Sequence, residues 1–201
     1  MSEILNEKPK KVKVKKKEKE KASLVEYLFD WMDSLVVVLV AVVLVFTFFL
    51  GKVRVDGESM ESTLHNNDQL IISSCDYTPK AGDIVIVSRD VKNDVESLKM
   101  QSNQPIVKRV VALEGQKVKI EDGYLYVDGI KQEETYTKDG ITDNKGFYGE
   151  HTVPDGCVFV LGDNRLDSHD SRGSDIGFVD TRYLLGKVVA RVYPFDYIEL
   201  F

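Results

Sequence analysis

Lys117–Gly129 reads KVKIEDGYLYVDG, and it sets the class of the fold. Apolar and polar residues alternate through Val118, Lys119 and Ile120 and again through Leu125, Tyr126 and Val127, the two-residue period of a strand with one buried face. Asp122-Gly123 and Asp128-Gly129 interrupt the alternation. Such pairs supply the positive φ angles that a tight hairpin turn demands. Working outward, similar short β-branched or aromatic runs bounded by turn residues recur: VRVDG from Val53, QLIISS from Gln69, DIVIVS from Asp83, PIVKRVVAL from Pro105, CVFVLG from Cys157 and LLGKVVARVYPF from Leu184. Residues 52–201 therefore read as one mainly β, all-β domain, with a polar, glycine-containing excursion near 131–151.

Upstream the pattern changes. Leu35–Leu50, LVVVLVAVVLVFTFFL, is uncharged and has no polar face, so residues 22–51 read as a membrane anchor helix. Sixteen helical residues reach about 24 Å, and Tyr27 and Trp31 fit the headgroup level beside them. A cleaved signal peptide and a buried core helix are the competing readings. The run ends without a small-x-small site, and its lack of a polar face disfavours a core helix. Residues 1–21 read as a disordered basic tail: residues 8–21 hold nine Lys against two Glu. That excess predicts a cytoplasmic N-terminus, a tail near anionic lipid and an extracytoplasmic domain. Residues 52–201 carry 18 Lys and Arg against 26 Asp and Glu, which argues against nucleic-acid binding by the domain. Cys75 and Cys157 show no metal-binding spacing; they read as two small buried residues, with a disulfide as the alternative.

Three segments carry candidate chemistry. Gly57-Glu58-Ser59-Met60 places a serine after a glycine turn, where backbone N–H groups can approach an oxyanion; an ordinary loop serine looks the same. In Ile106-Val107-Lys108-Arg109-Val110, Lys108 shares a strand face with Ile106 and Val110. Desolvation there would lower the amine pKa from about 10.4 by up to ~3–5 units and yield a general base, whereas an edge-strand lysine would keep its head in water. Gly162–Gly173, GDNRLDSHDSRG, is dense in hydrogen-bonding groups and reads as a solvated loop or as a packed site-fixing network. His65, His151 and His169 read as loop residues, with His169 the rival base to Lys108.

In this order the segments closely resemble the boxes of bacterial type I signal peptidases, G-x-S-M-x-P-T-L, G-D-I-V, K-R-V-I-G-L-P-G-D and G-D-N-R-x-x-S-x-D-S-R. They stand here as Gly57–Leu64, Gly82–Val85, Lys108–Gln116 and Gly162–Arg172, within a resemblance over about residues 25–195. The resemblance implies a Ser–Lys serine endopeptidase: Ser59 the nucleophile, Lys108 the general base, Ser168 orienting the amine, Asp170 and Arg172 holding the scaffold, and Met60 bordering the substrate pocket. The Ser59 N–H would form part of the oxyanion hole, and Gly57 stands where some relatives carry a serine that completes it. No metal or other cofactor is implied. The implied partners are exported preproteins cut after small-x-small sequences such as Ala-x-Ala, membrane lipid, and the protein-translocation machinery. Ser62, Ala112, Glu114 and Gln116 depart from the family pattern; Ser62 replaces a proline and leaves its loop freer. A peptidase dedicated to a few secreted or pilus proteins, a non-catalytic β-domain binding extended peptides, and a self-cleaving repressor are the alternatives. The anchor disfavours the last.

Overall fold

The computed structural model describes residues 10–74, 77–88 and 104–201, and only the backbone of residues 10–24, 45, 46 and 48. Cys75 lies outside the described residues. A helical unit ends at Phe48 and a β-rich unit runs from Phe49 to Phe201.

The helix, α1, spans Lys10–Phe49 and takes in residues 10–21, which composition alone assigns to a tail. Extending an existing helix adds one hydrogen bond per residue ordered, and lysine is a fair helix former. Val25–Leu44 is long and apolar enough to cross a membrane, and none of that span is buried against protein. Twenty residues of helix rise about 30 Å, the thickness of a hydrocarbon core. The Ser34 and Thr47 hydroxyls donate to the carbonyls of Asp30 and Val43 one turn back, so neither needs an outside partner.

The β-rich unit holds two sheets. In chain order its strands are β1 (Leu50–Arg54), β2 (Gln69–Ser73), β3 (Ile84–Val87), β4 (Ile106–Leu113), β5 (Lys117–Glu121), β6 (Tyr124–Val127), β7 (Ile130–Lys131), β8 (Glu150–Thr152), β9 (Cys157–Leu161), β10 (Val179–Asp180), β11 (Leu184–Tyr193) and β12 (Glu199–Leu200). The larger sheet runs β1-β2-β11-β3-β4-β9-β10 with β12 beside β11, and the smaller runs β7-β6-β5-β8. Every neighbouring pair is antiparallel. The hairpins of the smaller sheet turn at the two Asp-Gly pairs: φ is +51° and +80° at Asp122 and Gly123, and +52° and +77° at Asp128 and Gly129.

The eight apolar runs became strands. Strands β7, β8, β10 and β12 have two or three residues each, too few to show a period. One consequence is a correction: His151, read as a loop residue, sits in β8 opposite Val118.

Three apolar clusters hold the unit together. One gathers Val55, Met60, Leu64, Ile84 and Val107 around the β1–β2 loop; another joins the two sheets through Val111, Val118, Leu125 and Phe159. The third packs Val85, Val110 and Val160. Strand β4 contributes to all three, and Val107, Lys108, Val110, Val111 and Ala112 within it are buried.

Candidate active site

Ser59 lies in the loop between β1 and β2. Val55 donates to the Asp68 carbonyl and Asn67 to that of Val55, which closes the loop at its base. Leu64 donates to the Met60 carbonyl in a single turn, and both side chains are buried in the first cluster. Burying each stabilises the loop by about 1.5–3 kcal/mol. Met60, expected at the border of a substrate pocket, is 1% exposed and packs as core.

Lys108 lies mid-β4, opposite Val85 of β3, and is 2% exposed. Its Nζ donates to Ser59 Oγ at 2.7 Å and to the Val107 carbonyl at 2.9 Å. The fold thus brings the two residues together across 49 positions. On the other side of β4, Arg109 pairs with Leu161, the last residue of β9, so the chain enters the Gly162–Gly173 segment beside Lys108.

That segment is a packed network rather than a solvated loop. The Asp170 and Arg172 side chains are fully buried and joined by two bonds of 2.7 and 2.8 Å. Arg172 also donates to the carbonyls of Asp143 and Arg165, and Asp170 accepts the Gly162 N–H. Burial pushes the Asp170 carboxyl up, but the Arg172 guanidinium, with Ser168 and the Gly162 N–H, outweighs it and holds the group below the usual carboxylate range. Asp163 takes both ends of the Arg109 guanidinium at 2.6 and 2.8 Å and accepts from Thr63 Oγ1 at 2.6 Å.

Gly162 is required by close approach. A Cβ there would lie 2.2 Å from Ser168 Oγ and 2.4 Å from the Ser59 carbonyl. Ser168 is buried, and its hydroxyl makes no hydrogen bond of ordinary geometry, to Lys108 included. Gly57 has φ +97° and turns its N–H to Asn66 Oδ1 at 3.3 Å. His169, the rival base, pairs through Nε2 with Asp175. Among the described residues nothing in the protein accepts the Ser59 N–H.

Sequence reasoning passed over two groups. Asn164 stood in the quoted run without a role; its backbone N–H donates to the Ser59 carbonyl and its Nδ2 to that of Glu58, both at 3.1 Å. The second group lies in the excursion. Glu134 receives a two-pronged bond from the fully buried Arg165 at 2.6 Å on each oxygen. The Tyr136 ring lies under Arg109, 4.0 Å from its guanidinium carbon. Burial pushes the Tyr136 phenol above its ordinary pKa, with the Glu134 charge adding to the shift. The polarity of residues 131–151 suggested a surface segment, and their contacts with the site had no local signature.

Comparison with known proteins gives the chain a family. The family model described as signal peptidase, peptidase S26, matches residues 28–193. A signal peptidase I of Bacillus licheniformis is 32% identical over 86% of this chain and 92% of its own. A signal peptidase IB of Staphylococcus aureus is 31% identical over 84% and 91%. A solved signal peptidase I from Enterococcus faecalis V583 is 28% identical, covers 55% of this chain and 97% of that one, and gives a TM-score of 0.41. The sequence matches and the apolar helix define a membrane-anchored serine peptidase. The chain belongs to the signal peptidase family, S26, whose members remove signal peptides from preproteins.

Proposed function

We propose that the protein cleaves exported preproteins after small-x-small sequences, typically Ala-x-Ala, with Ser59 as nucleophile and Lys108 as general base. The observation that carries this reading is the 2.7 Å contact between Lys108 Nζ and Ser59 Oγ, made by a lysine that is 2% exposed. An amine so placed is within reach of the proton it must remove.

In this mechanism the Lys108 amine takes the Ser59 proton as Oγ attacks the scissile carbonyl. The Ser59 N–H is one donor to the tetrahedral oxyanion. Lys108, now an ammonium, protonates the leaving amine. The acyl-enzyme is then hydrolysed by water from which Lys108 removes a proton, and Ser59 is restored. Asp170 and Arg172 keep the Gly162–Gly173 segment rigid beside both groups. Ser168, buried against Gly162, takes the role the family resemblance gives it, that of orienting the amine.

In this reading residues 1–21 form the cytoplasmic basic tail near anionic lipid, residues 22–51 the anchor, and residues 52–201 the extracytoplasmic peptidase domain that meets preproteins at the translocation machinery. The lysine excess at the N-terminus supports that orientation. The deciding experiment incubates the full chain with an Ala-x-Ala peptide beside Ser59→Ala. Cleavage at the expected bond by the wild type alone is the predicted result; equal cleavage by both would rule the nucleophile out.

A further inference from the structure

Part of the 131–151 excursion packs against the candidate site. The Ser59 loop is gripped from two directions. Asn164 holds the carbonyls of Glu58 and Ser59. From the other direction, Ser62 Oγ donates to the Tyr136 carbonyl at 2.7 Å across 74 positions, and Lys138 Nζ meets the Glu61 carboxylate at 2.6 Å.

The segment that makes this second grip is itself anchored. Glu134 is bonded through both oxygens to Arg165, with side-chain exposures of 9% and 0%. The Lys138 N–H donates to the Asp163 carbonyl at 3.1 Å. Tyr136 stacks under Arg109, the residue after Lys108 in β4. The same few residues thus touch the nucleophile loop, the strand of the base and the Gly162–Gly173 network.

We infer that residues 134–138 are a positioning strap that sets the Ser59 loop against Lys108, with Ser62 as its point of attachment. The inference rests on the reading of Ser59 and Lys108 given above. It also accounts for a departure from the family motif. Proline at this position restrains the loop through its ring; Ser62 restrains it by a hydrogen bond to the strap. Ser62 does not touch the reacting atoms and acts through the placement of Ser59. Small displacements of a nucleophile cost rate more than they cost binding.

The test uses the full chain in detergent with an Ala-x-Ala peptide, active sites being counted by a serine-directed acylating probe. Ser62→Ala is expected to lower kcat per active site by about three- to tenfold, the worth of one neutral hydrogen bond, with KM within about twofold of wild type. Ser62→Thr keeps the hydroxyl and is expected to restore kcat. Glu134→Gln, which loosens the anchor, is expected to lower kcat in the same sense; should it fail to fold, the Ser62 pair decides. A purely structural Ser62 would lower the melting temperature and leave kcat per active site unchanged. Unchanged kcat in Ser62→Ala, or failure of Ser62→Thr to recover it, overturns the strap while Ser59-dependent cleavage by the wild type persists. Loss of Ser59 dependence in the wild type overturns the strap together with the reading beneath it.

Discussion

Lys108 Nζ reaches Ser59 Oγ from a strand in the middle of the larger sheet, while Ser59 sits on a loop between two strands nearer its edge. Two neighbours control the contact. The Val107 carbonyl fixes the amine at 2.9 Å, and the Asn164 N–H fixes the Ser59 carbonyl at 3.1 Å. Ser59→Ala and Lys108→Ala are each expected to abolish peptide cleavage while circular dichroism stays that of the folded chain. Retained turnover in Lys108→Ala would remove the lysine from the mechanism.

A base buried as deeply as Lys108 gives activity a direction with pH. The ammonium cannot take the Ser59 proton, so kcat/KM should climb as pH rises through the pKa of the lysine. A pH–rate profile flat from mildly acidic to alkaline conditions would contradict this.

The Asp170–Arg172 pair should govern acid stability. The folded carboxyl titrates below its unfolded value, because Arg172 outweighs the effect of burial. Its stabilising contribution is therefore complete above the unfolded pKa of about 3.9 and lost as pH falls through the lower, folded pKa. Asp170→Asn is expected to destabilise by about 3–5 kcal/mol near neutrality, since it leaves a buried guanidinium without its counter-ion. Denaturant unfolding at a series of pH values should also show a shallower acid limb in the variant.

Gly162 offers a steric test of the site. In Gly162→Ala the new methyl group would meet Ser168 Oγ at 2.2 Å and the Ser59 carbonyl at 2.4 Å, so the nucleophile loop must move. We expect about 1–3 kcal/mol of destabilisation and at least a roughly tenfold fall in kcat. Unaltered kinetics would mean that the site tolerates more displacement than its packing suggests.

His169→Ala should keep most activity, because its imidazole is engaged with Asp175. Collapse of cleavage in a folded His169→Ala would transfer the role of base to the histidine.

Much of the β-rich unit was legible before folding was considered. Alternation in Lys117–Gly129 and the Asp-Gly pairs required two hairpins, and positive φ at Asp122 and Asp128 matches that requirement. The apolar character of Leu35–Leu50 likewise announced a helix without a polar face, although not that residues 10–21 would join it or that Leu50 would begin β1. Strands of two residues, such as β7 and β10, left no trace because a period needs several residues to register.

The site divides in the same way. Local order in the chain determined which residue types stand next to which: a serine after a glycine turn, a lysine between β-branched neighbours, a run rich in Asp, Arg and Ser. It could not determine that Ser62 bonds Tyr136 or that Arg165 is buried against Glu134, since contacts across 74 and 31 positions depend on strand order and register. Side-chain period is a property of neighbours along the chain and survives in the sequence. Burial and hydrogen-bond partnership are properties of neighbours in space and arise when the sheets close around them.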